Sequence, residues 1–161
     1  MLRIVCQTSV SGIASFLQRA SEHITECMRQ ALADIVREAD EKARNRGWDE
    51  SFHDVTGNLR SSIGGAVYDH GKVYFSTEFA QVLEGSTGSA RGRSMVQSLA
   101  GQYSDCVAMT MVAAMDYAET VEARDSKDVL ESTRIWAESV VRQRLEDAKE
   151  KAIREINTWK L

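Results

Sequence analysis

The feature that most constrains this chain is an apolar stripe through Ile13, Phe16, Leu17, Ala20, Ile24, Met28, Ala31, Ile35 and Ala39. Apolar side chains recurring at three- and four-residue steps share one face of an α-helix, and that face has to be covered. Ser11 is placed to cap the start, because a serine oxygen accepts from an unpaired first-turn N–H. Arg44 and Arg46 suit the negative end of the helix dipole, and Gly47 ends the pattern. A helix over residues 12–46 is roughly 50 Å long at 1.5 Å per residue. A compact domain of 161 residues is only about 40 Å across. Such a helix must overhang, bend or break, and overhanging apolar surface calls for a partner.

A second stripe, Val129, Leu130, Ala137, Val140, Val141, Leu145, Ala148, Ala152 and Ile156, predicts a C-terminal helix. Asp125-Ser126-Lys127-Asp128 offers its N-caps, and Glu150 and Arg154 pair one turn apart on its polar face. Between the helices, Ile63–Tyr68 and Lys72–Phe75 flank Asp69-His70-Gly71, a hairpin signal with Gly71 free to turn left-handed. Gly64-Gly65 marks a bulge or a close backbone approach. Cys106 to Met115 is almost continuously apolar and reads as a central strand covered on both faces, with a buried helix as the alternative. Leu2, Ile4 and Cys6 alternate like a short strand or an extended lead-in, and Trp48 and Phe52 sit in a loop expected to lie against the first helix. Residues 76–101 read as an insertion. Its stretch 85–94 is small, polar and net positive, the composition of a mobile loop, and Met95–Ala100 reads as a short helix that Gly101 ends. The predicted fold is one α+β domain over residues 1–161: two long helices, N- and C-terminal, packed on a small, mainly antiparallel β-sheet.

Hydrophobic content of 43% and charged content of 27% are those of a globular domain. A net charge of −4 argues against direct nucleic-acid binding, which usually needs a basic surplus. No apolar run approaches the ~20 residues that span a bilayer. The apolar core of MLRIVCQTSVSG is too short for a secretory signal, so the chain is expected to act where it is made. Cys6, Cys27 and Cys106 are odd in number and widely spaced, as free thiols in a reducing compartment are. His23 and Cys27 share a helix face as metal ligands do, but no CxxC or HxxxH supplies a second pair. They are expected to serve packing, with no metal and no cofactor. Asp116, Glu119 and Glu122 form the local acidic cluster of the strand region, the three histidines are scattered, and no serine lies in a G-x-S-x-G elbow. The expectation is a protein that is not an enzyme, its carboxylates paired with Arg60 or with cations on a neighbouring copy.

Thr56-Gly57-Asn58-Leu59-Arg60-Ser61-Ser62-Ile63 marks the change from helical to strand character. Thr56, Gly57 and Asn58 suit a tight turn, and Leu59 and Ile63 share a face on the helical turn that follows, with Arg60 and Ser61 outward. The physical reading is a helix-to-sheet junction. A T-G-N-L-R-x-S-I string behind a long N-terminal helix also resembles the tail-completion (head–tail joining) proteins of long-tailed bacteriophages and prophages. Asp116-Tyr117-Ala118-Glu119-Thr120-Val121-Glu122 is similar to the family's second signature, Y-A-x-x-V-E ahead of the last helix. The chain departs from the pattern at Ala123-Arg124, where Gly-Thr is frequent, and at Lys127-Asp128, where Pro-Phe is. The resemblance implies a structural protein of the virion, assembled in the host cytoplasm. It implies a homo-oligomeric ring that meets phage neck, tail or connector proteins, with no small-molecule substrate and no membrane. The interaction residues it implies are Thr56, Gly57, Asn58, Leu59, Arg60, Ser62 and Ile63, with Asp116, Tyr117, Ala118, Val121 and Glu122. The rival reading is a small cytoplasmic regulatory or binding module whose Gly/Arg loop at 85–94 captures an anionic ligand.

Overall fold

The computed structural model describes residues 9–46, 52, 55–123 and 128–160. The lead-in predicted at Leu2–Cys6 and the aromatic Trp48 lie outside the described residues. Helix α1, Val10–Arg44, is one unbroken element of 35 residues, about 52 Å long. Its cap is Ser9 rather than Ser11: the Gly12 amide donates to Ser9 Oγ at 3.0 Å. Helix α5, Glu131–Ile156, runs antiparallel to it. Arg144 donates to Glu38 at 2.9 Å, and Lys42 sits 4.9 Å from the Trp136 ring centroid.

The helix pair covers one face of a three-stranded antiparallel sheet in the order β2-β1-β3. Strand β1 (Ile63–Asp69) is central, β2 (Lys72–Ser76) is its hairpin partner and β3 (Val107–Ala113) lies on its other side. The predicted two-long-helix α+β architecture is what the chain adopts. The first core packs Leu32, Ile35 and Val36 of α1 against Val67 and Ala137. The central strand, however, is β1, and the apolar run at 107–113 is an edge strand. The reason lies in Gly64 and Gly65. A Cβ on Gly65 would press on Val36 and Met111, and one on Gly64 on Thr77 and Phe79. Absent side chains let neighbours approach both faces, so the most enclosed strand carries the least apolar signal. The register shift lies at Val67/Tyr68 and not at the glycines. His70 (φ 48) and Gly71 (φ 80) are both left-handed, as a two-residue hairpin turn matching the sheet twist requires.

The stretch 85–94, expected to be a mobile loop, is helical instead from Ser86 onward. Helix α3 spans Ser86–Leu99 and continues as a 3₁₀ turn over Ala100–Tyr103. It covers the other face of the sheet, where Ala66, Tyr68, Phe79, Val96 and Val112 form a core. Tyr68 OH donates to Val96 O at 3.0 Å. Gly88, Ser89 and Gly92 are the buried side of α3 together with Val96. Side-chain carbon at Gly88 would strike the backbone of Asn58, and at Gly92 the Phe79 ring. The composition that reads as flexible is that of a helix docking by its backbone. Residues 76–101 therefore build part of the core rather than an appendage. Among the described residues, no helix is long and apolar enough to cross a membrane.

Candidate functional site

The two strings that stand apart in sequence meet in space. Gly57 (φ 75) opens the single-turn helix α2, Asn58–Ser61. Thr56 Oγ1 accepts from the Asn58 side-chain amide at 3.1 Å. The Asn58 carboxamide oxygen in turn accepts from the Gly88 amide at 3.0 Å, which ties the turn to α3. Leu59 and Ile63 are buried with Ala43, Phe52, Ala118 and Val129. The predicted helix-to-sheet junction is thus a packed core in its own right, and Ala118 of the second string belongs to it.

Ser61, expected to face outward, is fully enclosed, as is Ser62. Their hydroxyls are satisfied, as buried polar atoms must be. Ser61 Oγ accepts from the Val82 amide at 2.8 Å, and Ser62 Oγ donates to Leu59 O at 2.7 Å. The Arg60 guanidinium donates to the carbonyl of Arg44, the last residue of α1, and lies 5.0 Å from the Phe52 ring centroid. A helix's last carbonyls have no partner within the helix, so Arg60 fastens the α1 terminus to the junction.

Two acidic residues of the second string, Glu122 and Asp116, act within the chain on groups other than Arg60. Helix α4, Ala118–Ala123, places Glu122 Oε1 to accept from the amides of Leu130 and Glu131 at 2.9 and 2.7 Å. That carboxylate caps α5, where negative charge also favours the dipole. Asp116 pairs with Arg91 at 2.7 Å on the surface.

Between the strings opens a cleft of about 490 Å³, lined by Phe52, Val55, Thr56, Gly57, Tyr117 and Val121 among others. Its rim is apolar and uncovered: Val55 is 91% exposed and Tyr117 is exposed too. Leu83 joins them, since a Cβ on Gly57 would lie 3.2 Å from Leu83 Cβ, and Leu83 is 65% exposed with a left-handed φ of 49°. Leu83 escapes sequence reasoning because its neighbourhood looks like loop. The available signal is a large aliphatic side chain directly before Glu84-Gly85.

Two further clusters carry chemistry. Asp40 lines a cleft of about 440 Å³ between α1 and residues 75–80. Burial pushes its carboxyl up to about 6, against the opposing pull of Arg44. Its Oδ1 has no hydrogen-bond partner among the described residues. Elsewhere on α1, His23 and Cys27 receive from α5 the second-segment partner the sequence did not reveal: Glu155 Oε2 lies 2.6 Å from His23 Nε2. Burial, and next the Glu155 carboxylate, push the Cys27 thiol up. No protein-family model, curated protein or solved structure matches the chain.

Proposed function

We propose that this protein is a structural, ring-forming adaptor of phage head–tail joining or tail completion. The observation that carries the reading is the meeting of the two signature strings in one junction whose outer rim, Val55, Leu83 and Tyr117, is apolar and uncovered. The inside of the junction is packed and sets direction; the outside has the character of a surface that meets protein. The sheet adds a second kind of contact, because β2 and β3 each pair on one side only among the described strands. A rim on one copy that meets a different face of the next makes a head-to-tail contact, and such contacts close into rings when the rotation permits. Connector, neck and tail proteins are the partners this reading implies, with the virion as its place of action. No observation favours the anion-binding module. Its cradle is helix α3, and Arg91 and Arg93 are engaged by Asp116 and the Glu78 carbonyl.

Electron microscopy and native mass spectrometry of concentrated protein test the proposal. Closed rings of one copy number are expected, and Val55→Asp with Leu83→Asp should abolish them while leaving the circular dichroism unchanged. Particles that stay monomeric at every concentration, or rings indifferent to both substitutions, would overturn it.

A further inference from the structure

His23 and Cys27 stand one turn apart on α1, and the C-terminal part of α5 brings Glu155 against them from 132 positions away in sequence. One imidazole nitrogen faces both partners: His23 Nε2 is 2.6 Å from Glu155 Oε2 and 3.9 Å from Cys27 Sγ. The three donor atoms all lie within 4.8 Å of one another. Tetrahedral zinc, with bonds of ~2.0–2.3 Å, sets its ligand atoms roughly 3.4–3.6 Å apart. The sulfur–nitrogen pair already stands near that spacing. The nitrogen–oxygen pair stands closer, at hydrogen-bond distance, and has to open for a cation to be held by both atoms. Opening it by about 1 Å is within reach of a glutamate rotamer on a partly exposed side chain.

We propose that His23, Cys27 and Glu155 form a mononuclear site for a zinc-class divalent cation, binding it through Nε2, Sγ and a carboxylate oxygen. A soft thiolate beside an imidazole selects zinc or cobalt over magnesium and calcium. Binding expels the Cys27 thiol proton to solvent, while the neutral His23 imidazole keeps its proton on Nδ1 and offers the Nε2 lone pair to the metal. Thiolate and carboxylate then balance the dication's charge. A groove of about 710 Å³, lined by Arg19, Glu22, His23, Glu26 and Trp159, leads to the cluster and leaves room for water as the fourth ligand. The Trp159 ring lies 5.1 Å from the imidazole centroid and braces its other side. The bound cation staples α1 to α5.

Cobalt(II) and zinc(II) titration of the full chain tests the site. Cobalt should give a thiolate-to-metal charge-transfer band and the visible bands of a tetrahedral centre, both displaced by zinc. Zinc should raise the Tm, EDTA should reverse the rise, and magnesium should do nothing. Cys27→Ser should lose the charge-transfer band, while Cys106→Ser, which removes an exposed thiol elsewhere, should keep it. Glu155→Gln should weaken zinc at least tenfold without changing the circular dichroism. The site is overturned by the absence of the band, by its persistence in Cys27→Ser, or by wild-type affinity in Glu155→Gln.

Discussion

Asp40 is a residue the sequence gives no reason to notice, a carboxylate beside the apolar stripe of a long helix. Its environment comes from residues 75–80, which carry no helical or strand period beyond Ser76 and so leave the covering segment unreadable. Because burial raises its carboxyl to about 6, the folded chain holds a proton that the unfolded chain releases nearer pH 4. Stability should therefore fall as pH rises between those values, and the penalty is complete above them. Asp40→Asn removes the titration. Relative to wild type it should gain about 1–2 kcal/mol on going from pH 4 to pH 7.5, after allowance for partial solvent screening. Urea denaturation at both pH values measures this. Parallel pH dependences for the two proteins would show that the carboxylate is solvated after all. Leu59 and Ile63 are the opposite case, since their four-residue spacing announced a shared face and that face is buried.

At the scale of elements, legibility follows side chains. Helices α1 and α5 and the hairpin were readable because their periodicity or turn residues are written in the chain. Helix α3 was not, because its docking face is made of Gly88, Ser89 and Gly92, and glycine ordinarily signals a loop. The same logic demoted β1 and promoted β3, as burial by close backbone approach leaves no apolar trace. The meeting of the two strings could not be seen either, since it depends on how α3 and β3 fold back onto α2. Gly→Ala inside a helix usually stabilises by up to ~1 kcal/mol. At Gly88 the sign should reverse: the added methyl meets the Asn58 backbone, which cannot rotate away. Gly88→Ala should destabilise by about 1–3 kcal/mol, the usual cost of overpacking. Gly101→Ala, with open space around it, is the control and should be near neutral. Chemical denaturation showing Gly88→Ala as stable as wild type would mean that α3 does not dock by its backbone.

At the scale of the whole molecule, the length mismatch foreseen from the first stripe is real but one-sided. Helix α1 is about 52 Å long, whereas α5, at 26 residues, reaches only about 39 Å. The antiparallel pairing ends where Phe16 meets Trp159 edge-on at 6.3 Å. Beyond and beside that contact, Val10 is 85% and Leu17 61% exposed, with Ile13 exposed between them. Three aliphatic side chains at helical spacing form a continuous strip, and a second copy of the chain is the simplest cover for it. Self-association through the α1 overhang should appear as a sedimentation coefficient that rises with protein concentration. Leu17→Asp places a charge on the strip, and because the side chain is already in solvent it should leave the monomer's stability within about 0.5 kcal/mol. The variant should sediment as a monomer across the range in which wild type associates. A wild type that never associates, or a variant that associates equally well, would leave the overhang without a partner of its own kind and point to a different protein as its cover.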